Sequence, residues 1–232
     1  MDARQQSQEK KAAAIAAAQT VESGMVIGLG TGSTAAFLVE EIGRRVTEEK
    51  LRIIAMATSE KTADHARRLK IPLATFAERT DIDLTIDGAD EVVPGPLHLI
   101  KGHGGALLRE KIVASASKRM FVIVDESKIV AKLGTTMTVP VEVVPFGWES
   151  TRKRLENLGA KTLVRMGENG APFITDGGHL ILDCDFGPLE NPKETAHHLD
   201  HVVGAVEHGL FLGFALKAFV GGPLGVRVLE KT

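Results

Sequence analysis

Three short stretches of this 232-residue chain concentrate glycine, hydroxyl and ionisable side chains. The first is Gly28-Leu29-Gly30-Thr31-Gly32-Ser33-Thr34, which follows an apolar run and precedes a helical pattern. A strand-to-helix loop of this kind turns backbone N–H groups and a helix N-terminus toward one point, where an anion is favoured. Thr31, Ser33 and Thr34 add hydroxyl donors. Two nucleotide motifs fail on inspection. A dinucleotide fingerprint needs a third glycine where Ser33 stands, and an acid at the end of the next strand, where Thr58-Ser59 follow instead. A P-loop needs Gly-Lys-Ser/Thr at its close, and no lysine is there. The loop therefore predicts a phosphate site, against the plainer alternative of an unliganded turn.

The second stretch, Asp87-Gly88-Ala89-Asp90-Glu91, ends an apolar run. At the carboxyl edge of an open sheet its carboxylates could do acid–base work or hold magnesium, although a turn also favours Asp and Gly. The third is Lys101-Gly102-His103-Gly104-Gly105-Ala106-Leu107-Leu108-Arg109-Glu110-Lys111. Its glycines allow close backbone approach, and Lys101 brings positive charge to the same place. Glu110 falls about one turn into the helix that follows, where an exposed carboxylate paired with a neighbouring base is the plainer reading.

Hydrophobic periodicity and breakers place these stretches. Helix is predicted over 5–22, strand over 25–29, a helix capped by Ser33 from Thr34 to about Glu49, strand over 51–57 and helix over 60–69. Short strands at 73–76 and 83–86, a Pro/Gly turn at 93–96, helix 106–117 and strand 120–124 complete an alternation that implies a doubly wound, mostly parallel sheet. The pattern changes after about Gly134. Strand 138–144, helix 148–158, strands 161–165 and 179–184 and helix 193–201 suggest a smaller α+β unit, a ferredoxin-like split βαβ. The glycine-punctuated end, 206–229, is expected to return to the main sheet. The division is thus a Rossmann-like domain from 1–133 plus 206–232 and a small subdomain at 134–205.

Composition narrows the partners. With 28 basic and 30 acidic residues the net charge is −2, so no basic track for nucleic acid or anionic membrane is present. Tyrosine is absent and tryptophan single, which disfavours base-stacking platforms. The lone Cys184 forms no internal disulfide and no cysteine–zinc cluster. No apolar run reaches membrane-spanning length, and residues 1–24 do not read as a signal peptide, so the expectation is cytoplasmic. His197 and His201 have the i, i+4 spacing of a metal pair but lack the glutamate of a zincin, and are read as a solvated face. No metal site and no cofactor are expected.

Taken together, Gly28–Ala35, Asp87–Glu91 and Lys101–Lys111 resemble the three signature segments of type A ribose-5-phosphate isomerases. The similarity extends to Asp125-Glu126-Ser127-Lys128, Val139–Val143 and Glu207-His208-Gly209-Leu210-Phe211. Such enzymes interconvert ribose 5-phosphate and ribulose 5-phosphate without metal or organic cofactor. The resemblance implies that Glu110 is the catalytic base, and that Thr31, Gly32, Ser33, Thr34, Asp87, Gly88, Ala89, Asp90, Lys101, Gly102, His103, Gly104 and Lys128 bind the sugar phosphate. Lys101 and the neighbouring amides would hold the developing oxyanion, Asp87 would open the ring, and Asp90 would orient a hydroxyl. Lys10 or Lys11 could supplement the phosphate loop. A homodimer or homotetramer with the small unit at an interface is implied as well.

Two positions depart from the family pattern. His103 stands where glycine is usual, and its side chain is expected to point to solvent. Gly221-Gly222-Pro223-Leu224-Gly225 replaces Gly-Thr-Pro-Asp-Gly in a turn expected to be remote from the chemistry. A non-catalytic sugar-phosphate sensor and a nicotinamide-dependent oxidoreductase are the competing functions. The first lacks a DNA-binding appendage here, and the second lacks its glycine and its acid.

Overall fold

A computed structural model describes residues 2–232. In chain order the first half contains α1 (Ala3–Ala18), β1 (Val26–Leu29), α2 (Ser33–Glu48), β2 (Ile54–Ala57), α3 (Glu60–Arg68), β3 (Leu84–Gly88), β4 (Glu91–Val93), β5 (His98–Ile100), α4 (Leu107–Ser115) and β6 (Met120–Asp125). There follow β7 (Val139–Val143), α5 (Trp148–Asn157), β8 (Lys161–Val164), β9 (Leu180–Asp185), α6 (Pro192–Asp200), β10 (Ala205–His208), β11 (Leu210–Phe211), β12 (Ala215–Gly222) and β13 (Gly225–Glu230).

The main sheet has the order β13-β12-β6-β3-β1-β2. Its first five members in space from β2 to β12 run parallel, and β13 closes the edge antiparallel to β12. Helices cover both faces, so central strands read as unbroken apolar runs; all six residues of β6 are buried. From β1 the chain moves outward to β2, then returns past β1 to β3 on its other side. That reversal is a topological switch point, and open α/β sheets bind ligands outside the strand carboxyl ends there. The glycine loop after β1 and the acidic turn after β3 are the two segments that flank it.

The core of this layer joins Ile27, Leu29, Leu38, Ile42, Leu84, Ile86, Phe121 and Phe219. Helix α1 reaches it through Ala13, Ala14, Ala17 and Ala18, all fully buried. Small side chains let α1 lie close against β6 and β12. The contact is tightest at Gly221, where a Cβ would overlap the carbonyl of Glu9. The Gly221–Gly225 turn is therefore less remote than expected, since Glu9 is the neighbour of Lys10.

The second sheet has the order β10-β7-β9-β8, antiparallel throughout. Numbered within the unit this is 4-1-3-2, the split-βαβ arrangement, with β10 supplying a fourth strand. Its core includes Val139, Val141, Leu155, Leu182, Cys184 and Leu199. A three-stranded sheet, β11-β5-β4, links the two layers.

Several local expectations differ. Helix α1 stops at Ala18, where the Thr20 hydroxyl turns back onto the Ala17 carbonyl at 2.7 Å. Ser33 is the first helical residue of α2 and not its cap; Gly32 takes the cap position at φ +113°, where no side chain is required. The stretch 73–76 makes only a single bridge, Ala55 with Leu73. The 93–96 turn proves to be the tip of a hairpin between β4 and β5, strands of three residues each.

Candidate active site

Asp87 stands near the end of β3 with no exposed surface. Its Oδ1 accepts the N–H of Thr31 at 3.0 Å and that of Gly88 at 2.7 Å. Gly30 makes the first bond possible, because a Cβ there would overlap the carboxylate. The Asp87 side chain thus ties the glycine loop to the acidic turn across the switch point.

Lys101, just after β5, reaches into the same place at 2 % exposure. Its Nζ donates to the Gly88 carbonyl at 2.6 Å and lies 3.0 Å from Asp87 Oδ2 and 3.2 Å from Glu110 Oε2. Neither carboxylate oxygen receives a well-aligned hydrogen bond from a described residue, so both ion pairs rest on charge and leave acceptor capacity free. The backbone of Lys101 is fixed by its N–H to the Gly209 carbonyl at 2.9 Å. Phe211 lies beneath the ammonium, 5.4 Å from ring centre to Nζ, and the Nζ of Lys111 is 4.9 Å from the same ring.

Electrostatics follow from burying two carboxylates around one ammonium. Glu110, in the first turn of α4 and 3 % exposed, is pushed up to about 8 by loss of water and by the Asp87 charge, against the pull of Lys101. Asp87 is also raised, by desolvation first, with Lys101 and its two amide donors opposing. For Lys101, burial favours the neutral form, but the charges of Asp87 and Glu110 outweigh it and hold the ammonium above its ordinary value. The site thus keeps a firm cation beside a carboxylate poised near neutral pH.

A cavity of about 100 Å³ opens over this cluster. Its wall includes Thr31–Thr34, Gly88–Asp90, Lys101, Gly102, Gly104, Glu110, Lys10 and Lys128. The amides of Gly32–Ala35 have no acceptor among the described residues, as expected for the free start of α2. Lys10 comes from α1, with its Nζ 3.2 Å from Ser33 Oγ and 3.9 Å from Asp125 Oδ2. Lys11, the next residue of that helix, is exposed and does not line the cavity. Lys128 lies in a single 3-10 turn, Glu126–Lys128, capped by Asp125. Larger clefts exist elsewhere. One of about 740 Å³ is lined by Met25, Val26, Ile53 and Ile54, at the start of β1 and β2, the edge opposite to the switch point.

The expected residues largely converge, with two exceptions. His103 does not line the cavity, nor does it point to solvent as expected: its Nε2 lies 3.0 Å from the Thr138 carbonyl and the residue is half-buried. Its backbone N–H donates to Asp90 Oδ2 at 3.0 Å. Asp87 stands behind Lys101 and has no surface of its own on the cavity. The sequence reading missed a hydroxyl cluster. Thr31 Oγ1 lies 2.7 Å from Thr58 Oγ1, 2.8 Å from Ser59 Oγ and 3.2 Å from Thr62 Oγ1. Thr58-Ser59 had served only to exclude a dinucleotide; their spacing before a helix start was the available signal.

Two histidine-containing groups away from this cavity carry no comparable chemistry. Donor atoms of Asp200, Glu207 and His208 lie within 4.8 Å of one another. The Lys111 ammonium already fills that place, 2.5 Å from Glu207 Oε1 and 2.6 Å from the His208 carbonyl. His201 Nδ1 meets the His197 carbonyl at 2.7 Å, and no third donor side chain joins this exposed pair among the described residues.

Comparison with known proteins decides the family. The model of ribose 5-phosphate isomerase A (phosphoriboisomerase A) matches residues 54–225. A relative named ribose-5-phosphate isomerase A from Synechococcus sp. (strain JA-3-3Ab) is 54% identical, over 96% of this chain and 97% of its own. The chain belongs to the ribose 5-phosphate isomerase A family. A Gloeobacter violaceus relative of the same name is 53% identical over 95% of each chain. Among solved structures, ribose 5-phosphate isomerase A from Methanocaldococcus jannaschii superposes with a TM-score of 0.92 at 40% identity, covering 97% of this chain and 99% of that one. A D-ribose-5-phosphate isomerase in complex with phospho-erythronic acid gives 0.94 at 38% identity, with full coverage of both chains. Family membership thus agrees with the mixed α/β architecture.

Proposed function

We propose that this chain interconverts D-ribose 5-phosphate and D-ribulose 5-phosphate through an enediolate, a step of the non-oxidative pentose phosphate pathway. The observation that carries the reading is the buried ammonium of Lys101, held between Asp87 and Glu110 at 3.0 and 3.2 Å, opening onto an amide-lined loop. Family relatives carry the same activity in their names.

In the proposed mechanism the free amides of Gly32–Ala35, the hydroxyls of Ser33 and Thr34, Lys10 and Lys128 grip the phosphate. Binding energy from this remote group positions the reacting carbons. Ring opening falls to the Asp87–Lys101 pair, with Lys101 meeting the sugar and Asp87 balancing its charge from behind. Asp90 orients a sugar hydroxyl. Glu110 removes the proton from C2 of the open aldose, the electrons move onto O1, and the resulting charge is held by Lys101 and the amides of Gly102 and Gly104. Glu110 returns its proton to C1, while the O2 proton passes to O1, giving the ketose. A carboxylate whose affinity for protons lies near working pH suits both transfers. The scheme uses only groups of this chain.

We further propose that 1–133 with 206–232 acts as the catalytic domain and 134–205 as a small subdomain, with β10 as the seam. Phe146 and Val203, 94% and 74% exposed on the small unit, support a homodimer or homotetramer interface there. Sedimentation tests it, and a monomer would refute it. No helix of the described residues is long and apolar enough to cross a membrane. A phosphorylated sugar is itself retained by membranes, which supports a cytoplasmic location.

The test is ketose formation from ribose 5-phosphate in the presence of a chelator. Turnover that Glu110→Gln removes while binding persists supports the isomerase. Binding without turnover by the unaltered protein would favour a sensor, and a requirement for nicotinamide would favour an oxidoreductase.

A further inference from the structure

The loop that would hold the oxyanion closes its own turn, with the Gly105 N–H on the Gly102 carbonyl at 3.0 Å, and is held from the small unit as well. Arg165, directly after β8 in the small unit, extends across to it: Nη1 donates to the Gly102 carbonyl at 2.7 Å and to the His103 carbonyl at 3.2 Å. Its other nitrogens are taken up by Asp183 of β9, with Nε donating to Oδ2 at 3.0 Å and Nη2 to Oδ1. The Arg165 backbone is pinned on both sides, its N–H to the Ile181 carbonyl at 2.9 Å and its carbonyl by the Phe173 N–H at 2.8 Å. Phe173 packs so closely on Gly105 that a Cβ there would overlap the ring.

Peptide geometry gives this clamp a direction. The C=O and N–H of one trans peptide point opposite ways. Holding the Gly102 carbonyl sends the His103 N–H away from Arg165, and it meets Asp90 at 3.0 Å. Holding the His103 carbonyl likewise turns the Gly104 N–H away from Arg165, on a residue that lines the cavity and whose amide has no acceptor among the described residues. Because Asp183 neutralises the guanidinium, the effect is one of orientation and of polarising the peptides, with little net charge added.

We propose that Arg165, seated by Asp183, is a positioning residue that aims the Gly104 amide at the enediolate oxygen. This rests on the isomerase reading above. An aimed donor matters most where charge develops, so its loss should fall on kcat and on binding of charged intermediate mimics, and should spare the phosphate grip.

The test compares wild type, Arg165→Met, Arg165→Lys and Asp183→Asn. Each is assayed for turnover of ribose 5-phosphate and for inhibition by phospho-erythronic acid, whose carboxylate carries charge near the reacting carbons, and by inorganic phosphate. For Arg165→Met we expect kcat to fall about ten- to a hundredfold, KM to change less than about threefold, and phospho-erythronic acid to bind about tenfold or more weakly while phosphate inhibition is kept. Arg165→Lys, a single-point donor that cannot hold the carbonyls and Asp183 together, should recover part of kcat. Asp183→Asn keeps the shape and should show a milder form of the same pattern, which preserves the test if Arg165→Met does not fold. An unchanged kcat, or equal weakening of phosphate and phospho-erythronic acid, overturns the proposal. Absence of turnover in wild type would instead refute the isomerase reading itself.

Discussion

Lys101 Nζ stands 3.2 Å from Glu110 Oε2, with 2 % and 3 % of their side chains exposed. Two buried carboxylates share this one ammonium, so the environment resists full ionisation of all three groups together. Glu110, the one that lines the cavity, is the carboxylate free to change state during a reaction.

Replacing Glu110 with Gln should lower kcat by about a hundred- to ten-thousandfold, the range of a lost general base. Binding of phospho-erythronic acid should survive. Stopped assays of ketose and a titration of the inhibitor separate the two quantities; residual activity near wild type would remove Glu110 from the mechanism.

The same carboxyl sets a pH profile. Only its ionised form accepts the C2 proton, and its affinity is pushed up to about 8. Activity on ribose 5-phosphate should therefore climb as pH rises toward 8 and level above it. The stability effect has the opposite sign. A carboxyl raised in the folded state favours folding at low pH, and this contribution is lost as pH rises from its ordinary value of 4.5 through about 8. Glu110→Gln should thus melt higher than wild type at pH 8 and above, by about 2–4 °C for each kcal/mol of relief, with the gap closing toward pH 4.5. Thermal melts across this range check it; a lower Tm at high pH would contradict the assigned burial cost.

Lys10 and Lys11 provide an internal control for the phosphate grip. Lys10→Met should raise KM for ribose 5-phosphate by about tenfold with little change in kcat, the expected loss of one charge-assisted contact of about 1.5 kcal/mol. Lys11→Met, on the exposed side of α1, should leave both constants alone. Equal effects from the two would place the phosphate elsewhere.

Thr31 ties the loop to Thr58, Ser59 and Thr62 through hydroxyls at 2.7–3.2 Å. Thr31→Ala should raise KM for the phosphorylated sugar by about three- to tenfold through a loosened loop. Activity on free ribose, however weak, should not change. Kinetics altered equally for both sugars would argue that the cluster supports the fold and not the phosphate.

Gly30→Ala tests the closest approach in the site. The added methyl would overlap the Asp87 carboxylate and force β1 away from β3 at their ends. Loss of most activity and a drop of about 1–3 kcal/mol in stability are expected, the usual cost of overfilling a packed position. Denaturant melts and turnover assays measure both, and a fully active, stable variant would exclude the described contact.

Much of the main layer was legible because its signals are local. Apolar runs leading into the glycine loop and the acidic turn mark β1 and β3, while the role of Glu110 comes from the family resemblance, since its position alone favours an exposed helix carboxylate. The β4–β5 hairpin was hidden by its length: three-residue strands around Pro94-Gly95-Pro96 look like a turn. Ser33 was read as a cap because serine favours that role, yet Gly32 holds a φ that serine tolerates poorly. His103, expected to face solvent, instead meets the carbonyl of Thr138, a partner from another part of the chain. Arg165 escapes notice as well, since the two loop carbonyls that it holds lie more than sixty residues upstream. Contacts between layers depend on topology, and spacing along the chain does not carry them.

The seating of α1 has a consequence for how this molecule comes into being. The helix that brings Lys10 is held by β6 and β12, and the Glu9 backbone abuts Gly221. As the ribosome emits the chain, α1 appears well before its dock on β12. The nascent protein can assemble β1 to β6 first, but the lysine at the mouth of the phosphate loop waits for β12. Catalytic competence thus waits on β12, and ribosome-stalled fragments ending before Ala215 should carry a sheet without a working grip.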